Sequence, residues 1–291
     1  MCNGVVIEKK NIFVNMNSKN SIILVDPDFD VNSAENCDLL IKVTADNFSY
    51  AVIDASENRL VVLYDQQECE NVVAALATIL TEDSHLAIPF RNVKASVYTA
   101  NTIAIPNDIF NAGQLDTYAK FFSEAKSEQL HLQTIKGQPF TSIFNLDHDM
   151  EELLITRFGI SKVYDHTAGL LASAKDPEGK RLTLDFTVGT FTAVLTEKAE
   201  MIFGNCYEIA DAEEFQYYLL LMVKQLNIDT KTTKVYLSGI IHSDDTKFQA
   251  IEKYFSQVVF NIPDNGKLPN IILEDMPNHY YSNLLALQLC E

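Results

Sequence analysis

Three groups of side chains in this sequence carry chemistry on their own. Asp26-Pro27-Asp28-Phe29-Asp30 has the acidic spacing of a calcium loop. The pattern breaks at Val31, where such a loop needs glycine, and at Cys37, where it needs a bidentate Glu, so a solvated turn is the expectation. Asp147, His148 and Asp149 could ligate a metal, but one histidine does not make a site and Asp147 stands where it can cap a helix. Asp165-His166 could form half of a proton relay, yet no serine or cysteine in a nucleophile elbow accompanies it. The aromatic group Phe203, Tyr207, Phe215, Tyr217 and Tyr218 has the spacing of core residues rather than of a base-stacking surface.

Composition narrows the partners. The 291 residues carry a net charge of -18, with 22 Lys and Arg that form no block, so nucleic acid and anionic membranes are excluded as expected partners. A hydrophobic content of 47% is enough for two cores of ordinary size. Cys2, Cys37, Cys69, Cys206 and Cys290 are odd in number and contain no close pair, which argues against a disulfide framework and a zinc site and for a reduced cytoplasmic setting. Residues 1–10 lack the basic-then-apolar order of a signal peptide, and no apolar run approaches the roughly 20 residues that span a bilayer, so no membrane insertion is expected.

These groups must be positioned by a repeated unit. Leu39 to Thr44, Phe48 to Ile53 and Asn58 to Tyr64 read as a three-stranded meander, and Leu182 to Phe186, Phe191 to Thr196 and Met201 to Ile209 as a second. Each is followed by an amphipathic helix: from about Glu70 to Thr81 in the first copy, and in the second a helix with Asp211 as N-cap and Glu214 three residues on. Further strands are expected at Val93–Tyr98, Thr102–Ile105, 141–146, Ile160–Tyr164, Lys234–Leu237 and Val258–Ile262. Further helices are expected around Leu115, after Asp147 with Gly159 as its stop, over Asp165–Ala174, after a Ser243 cap, and over Pro277–Leu289. Val5–Val14 and Ser21–Val25 form a candidate strand pair ahead of the repeat. Asp176-Pro177-Glu178-Gly179-Lys180 is the expected boundary, which divides the chain into an extension over 1–38, a first lobe over 39–175 and a second over 181–291. The class is α/β with mixed sheets.

A duplicated β-β-β-α-β-α unit with a cleft between its halves resembles the actin-like ATPase superfamily of actin, sugar kinases, heat-shock chaperones, FtsA and PilM. Leu184-Asp185-Phe186-Thr187-Val188-Gly189-Thr190 resembles its second phosphate loop and Val235-Tyr236-Leu237-Ser238-Gly239 its adenosine motif. Ile143–Phe158 followed by Val163–Leu171 resembles the stretch ahead of that loop in PilM-type proteins. From about Leu39 onward the chain is similar to a bacterial family, domain of unknown function 3822, with an actin-like (ribonuclease H-like) fold of two lobes. That likeness is carried by 182–208 with Phe203-Gly204-Asn205-Cys206, by 211–226 with Tyr217-Tyr218, and by Leu237-Ser238-Gly239, Lys253-Tyr254 and Cys290-Glu291.

The resemblance implies that Asp185, Gly189, Thr190 and Gly239, with Asp46 on the facing lobe, line a nucleotide cleft. It also implies that hydrolysis needs glycine-rich hairpins whose amides reach the phosphates, and acidic groups that hold magnesium through water. This sequence departs from the pattern at three places. Thr187 replaces the first glycine of the second hairpin, Thr44-Ala45-Asp46-Asn47 has none, and Ile240 stands where a second adenosine-motif glycine is usual. The same residues have a plain structural explanation, with Asp185 an outward strand residue and Gly189, Asp46 and Asn47 turn formers. The expectation is a protein that has lost efficient hydrolysis, needs no ATP or magnesium, and binds a protein or peptide as a scaffold. The alternative is an ATP-binding or ATP-hydrolysing switch.

Overall fold

The computed structural model describes residues 13–15, 20–87, 89–122, 129–159, 162–174, 179–262 and 271–291. The strand expected over residues 5–12, the start of the one at Ile160, boundary residues 176–178 and the Pro- and Gly-bearing loop at 263–270 lie outside them.

The first copy opens with β1 (Phe13–Asn15) antiparallel to β2 (Ser21–Val25). The meander is β3 (Cys37–Val43), β4 (Phe48–Asp54) and β5 (Arg59–Gln66), followed by α1 (Val72–Glu82) and β6 (Asn92–Val97). An insert of β7 (Thr102–Pro106), α2 (Leu115–Ala119), β8 (His131–Thr134) and β9 (Phe140–Phe144) makes a separate three-stranded sheet. Then come α3 (His148–Phe158), β10 (Val163–Asp165) and α4 (Ala168–Ala172). The second copy is β11 (Lys180–Phe186), β12 (Thr190–Glu197), β13 (Glu200–Glu208), α5 (Ala212–Gln225), β14 (Lys234–Gly239), α6 (Thr246–Tyr254) and β15 (Val258–Phe260), and α7 (Ser282–Ala286) follows.

The strand orders demonstrate the duplication. The seven-stranded sheet runs β1-β2-β5-β4-β3-β6-β10 and the five-stranded one β13-β12-β11-β14-β15, so each copy places its meander third-second-first and adds two parallel strands. The register slips between Val52 and Ile53 in one copy and between Leu195 and Thr196 in the other, four residues after Phe48 and Phe191 respectively. Two unrelated meanders would have no reason to share a bulge at the same place.

Local chemistry explains most element ends. Asn71 caps α1 by accepting from the Ala74 N–H, and Asp147 caps α3 by accepting from the Asp149 N–H. Gly159 ends α3 in the left-handed region. Asp211 accepts from the Glu213 and Glu214 N–H groups while Glu214 reaches back to the Ala210 N–H, the reciprocal arrangement of a capping box. Lys198 and Ala199 both have positive φ, 54° and 66°, which suits a two-residue hairpin turn to the twist of its strands.

Three expected elements differ. The cap of α6 is Asp245 rather than Ser243, and the Asp245 carboxylate is turned back onto the His242 N–H. Asp165 stays paired with Val97 in the sheet, so the helix after it begins at Ala168. The helix expected over Pro277–Leu289 is only five residues, with a 3-10 turn behind it, because the segment is fitted to a sheet face rather than formed on its own periodicity.

That segment has a structural task. One core lies between the first sheet and α1 and α3, another between the second sheet and α5 and α6. The opposite face of the first sheet is covered by residues from 272 to 290: Leu40, Ala51, Leu60 and Leu63 pack with Leu273, Leu284, Leu285 and Leu287. The second-lobe range, 181–291, therefore contains a stretch that completes the core of the first. A smaller apolar cluster of Phe140, Leu170, Leu171 and Val194 joins the lobes directly.

Candidate functional site

The two hairpin loops that face each other across the lobes are built alike. The Thr44 N–H donates to the Asn47 carbonyl at 2.8 Å and the Asn47 N–H to Thr44 Oγ1 at 3.0 Å. In the second copy the Thr187 N–H donates to the Thr190 carbonyl at 3.0 Å and the Thr190 N–H to Thr187 Oγ1 at 2.9 Å. A threonine hydroxyl thus holds each turn from inside, which is the local reason Thr187 stands where a glycine is usual. The loops differ at the third position, where one carries Asp46 and the other Gly189.

Asp46 uses that difference. Its Oδ2 accepts from the Gly189 N–H at 3.0 Å, and Thr187 Oγ1 lies 3.0 Å from both carboxylate oxygens. Its Oδ1 also accepts from the Thr44 hydroxyl at 3.0 Å. A Cβ on Gly189 would sit 3.1 Å from Asp46 Oδ2, so the approach depends on the glycine. The carboxylate of one lobe occupies the amide and hydroxyl donors of the other.

Behind this contact lies a buried ion pair. Lys42 Nζ reaches Asp185 Oδ2 at 2.5 Å, with 12% and 2% of their side chains exposed. Asn283, on α7, donates to the same oxygen at 2.8 Å, and the Ser238 hydroxyl donates to Oδ1 at 2.7 Å. Asp185 therefore has a partner from the first sheet, one from the second and one from the C-terminal helix. Asn283 can stand there because α4 passes it at Gly169, where a Cβ would lie 2.4 Å from its Oδ1 and 2.5 Å from its carbonyl oxygen.

Of the residues expected from the sequence, Asp46, Asp185, Gly189 and Thr190 are brought together at this junction. Gly239 stands at the end of β14 beside Phe186, with φ 75° and its Cβ direction filled by Phe186 backbone, so its identity follows from packing. Lys42, Ser238 and Asn283 complete the junction, and the sequence reading named none of them as a site residue. Lys42 alone carried a signal, as the one cation in Leu39-Leu40-Ile41-Lys42-Val43, a run that is otherwise buried. Outside the junction is an open cavity of about 510 Å³, lined by Asp46, Glu208 and Glu214 together with Ala45, Gly189, Thr190, Ile209 and Ala210. It presents three carboxylates and no cation.

Asp26 is buried and paired with Arg59, so the turn expected to be solvated is an anchored one. His148 is exposed, and among the described residues no group of three His, Cys, Asp or Glu side chains could hold a metal. Asp165 accepts from the Ser142 hydroxyl at 2.5 Å and from the Thr167 hydroxyl at 2.6 Å, which holds the end of β10. His166 is buried with neither ring nitrogen hydrogen-bonded, and burial pushes its pKa down despite the neighbouring Asp165. Among the described residues Cys37, Cys69, Cys206 and Cys290 form no disulfide. Phe203, Tyr207, Phe215 and Tyr218 pack as expected, but Tyr217 is 62% exposed.

Asp65 supports the first hairpin and gives a pH prediction. It accepts from Asn47 Nδ2 at 3.2 Å, and burial pushes its pKa up to about 6 from 3.8, with Gln67, Lys42 and Asn47 opposing the rise. Between those values folding takes up a proton, so this group lowers stability as the pH rises from about 4 to about 6. Asp65→Asn keeps an acceptor oxygen and removes the charge. Its stability relative to wild type is expected to rise by roughly 2 kcal/mol between pH 4 and pH 7, measured by urea unfolding at both. A difference that does not change with pH would contradict the assignment.

Sequence comparison matches residues 26–258 to a family described as protein of unknown function (DUF3822). No curated protein matches the sequence. Among solved structures, the fold is similar to a Bacteroides thetaiotaomicron VPI-5482 protein with actin-like ATPase fold and unknown function. The TM-score is 0.73 at 18% identity, over 90% of this chain and 99% of that one. It is also similar to a chain of the PilM-PilN type IV pilus biogenesis complex, with TM-score 0.53 at 11% identity, over 89% of this chain and 99% of that one. At these identities the likeness is one of fold, and the fold is that of the actin-like ATPases.

Proposed function

Because the chain belongs to this family of proteins of unknown function, DUF3822, no activity comes with its membership, and we propose that it is a non-catalytic binding or scaffold protein built on the actin-like frame. The observation that carries the reading is the seat of Asp46. Its carboxylate takes the Gly189 N–H and the Thr187 hydroxyl, both in the hairpin that resembles the second phosphate loop. In the same way the Lys42 ammonium takes Asp185, which the resemblance places in the nucleotide cleft. The residues present do not suit a magnesium triphosphate: a polyanion entering past Asp46, Glu208 and Glu214 meets three like charges before it reaches any donor. Magnesium would have to displace a lysine held at 2.5 Å.

The partner in this reading is a protein or peptide. The net charge of -18 disfavours nucleic acid, and described cysteines without a disulfide suit a reducing, cytoplasmic setting. No described helix is long and apolar enough to cross a membrane. PilM is solved in a complex with PilN, an analogy of fold alone.

Thermal unfolding with and without MgATP or MgADP tests the proposal. A ligand at a hundred times its dissociation constant stabilises a native state by about 2.7 kcal/mol, so a working nucleotide site would raise the melting temperature clearly. The expected result is no shift for the wild type. A dose-dependent rise with MgATP would refute the reading and favour the ATP-driven switch.

A further inference from the structure

The duplication makes one copy a guide to the other. In the first copy the outer strand of the meander, β5, is paired along its free side with β2, antiparallel, from Ser21 opposite Gln66 to Val25 opposite Val62. The equivalent strand of the second copy is β13. It ends its sheet, and among the described residues no strand lies on its outer side. The shared bulge fixes the correspondence: Val62 matches Phe203 and Gln66 matches Tyr207. The edge that the first copy fills from its own chain has no such strand among the described residues of the second.

β13 is nine residues long and carries neither proline nor lysine; its bulge at Ile202 and the Gln138 contact to the Met201 N–H lie at its start, which leaves Phe203–Tyr207 regular. Ile202 is 50% exposed on it. Beside it, on the α5 side, Tyr207 lies tilted against Tyr218 with centroids 4.7 Å apart and Tyr218 meets the exposed Tyr217 at 5.4 Å, an aromatic shelf next to the strand. Glu200 and Glu208 stand exposed at the two ends of the strand. Those two charges decide the occupant. If two copies paired antiparallel about Gly204, each Glu200 would face a Glu208 of the other, and like charges directly opposite disfavour that dimer. A foreign strand with cations at its ends meets the reverse situation.

We infer that β13 receives an extended segment of another protein, antiparallel, apolar over the residues opposite 203–207 and carrying Lys or Arg at both ends. Strand addition supplies main-chain hydrogen bonds along Phe203–Tyr207, the Tyr217 and Tyr218 rings take apolar side chains on the α5 side, and Glu200 and Glu208 select for a basic partner. The inference rests on the binding-protein reading above and gives it a site and a partner class. A junction closed by Asp46 and Lys42 leaves the sheet edge, rather than the gap between lobes, as the accessible backbone.

The probe is a nine-residue peptide that places the chain's own β2 sequence, Ser-Ile-Ile-Leu-Val, between two lysines at each end, with a control carrying glutamates instead. Binding is measured by fluorescence titration at low and high salt, and the location by amide hydrogen exchange. The lysine peptide is expected to bind about tenfold tighter than the glutamate peptide, to weaken with salt, and to slow exchange within residues 203–207. Glu200→Lys combined with Glu208→Lys, both exposed positions, should reverse the preference. Equal affinity of the two peptides, no binding of either, protection elsewhere, or an unchanged preference in the double variant would each overturn the inference. None of these results bears on the nucleotide experiment, whereas stabilisation by MgATP would overturn the binding-protein reading whatever the peptides do.

Discussion

Gly239→Ala is expected to destabilise the chain by about 2 to 5 kcal/mol. Two independent terms add. The residue has φ 75°, where a Cβ costs about 1 to 2 kcal/mol, and the Cβ itself would lie 2.0 Å from the Phe186 carbonyl oxygen and 2.7 Å from the Phe186 nitrogen. Neither atom can rotate away, because both belong to the central strand of the second sheet and the carbonyl already accepts from the Ile240 N–H at 2.9 Å. Relief requires β11 and β14 to separate, and overpacking of that kind costs a further 1 to 3 kcal/mol or so. Urea unfolding measures the loss directly, and failure to accumulate as soluble protein is the extreme form of the same result. An alanine variant that unfolds within about 1 kcal/mol of wild type would mean that Gly239 faces open space, as a nucleotide-lining glycine would.

The second large effect is expected at Lys42. Lys42→Met leaves Asp185 buried with its charge opposed only by the Asn283 and Ser238 dipoles, and breaking a buried pair from one side costs about 3 kcal/mol or more. Asp185→Asn in the same chain removes the stranded charge while keeping an oxygen for Asn283 and Ser238. The double variant should therefore recover about 2 kcal/mol of the loss, seen as a coupling energy in a double-mutant cycle. Additive losses would mean that the two side chains act independently. The cycle also reports on the lobes, since Lys42 belongs to one sheet and Asp185 to the other. A weakened junction should appear as faster amide exchange in both hairpin loops before the sheets themselves open.

Much of the architecture was written locally. The meanders could be read because strands alternate with period two and their breaks carry turn formers: Asp54 binds the Ser56 N–H at 2.8 Å, as a residue of its type does at a turn. The caps at Asp147 and Asp211 and the stop at Gly159 are equally local, set within four residues. What the sequence hid is of long range. Lys42 and Asp185 are 143 positions apart and Asn283 and Asp185 are 98, and no periodicity connects them. The same holds for the path of 272–290: its apolar residues were visible, but which sheet face they would cover depends on what the first lobe leaves bare. Ser243 and Asp245 are both acceptable caps, and the choice fell to Asp245 through its bond to the His242 N–H. Tyr217 was grouped with core aromatics because helical spacing alone does not separate it from Tyr218 at the rim of the apolar face. Asp46 looked like a turn former and is one, and what it also does on the other lobe depends on the partner loop having glycine at the matching position.

The covering of the first sheet by residues 272–290 has a bearing on the order of events during synthesis. The ribosome delivers the first half of the molecule well before the piece that shields Leu40, Ala51, Leu60 and Leu63, so that half waits with an oily flank while the second half is still being made. The first half is not a self-sufficient folding unit in this arrangement, and a nonsense mutation between residues 181 and 272 would damage the lobe that had already been translated in full.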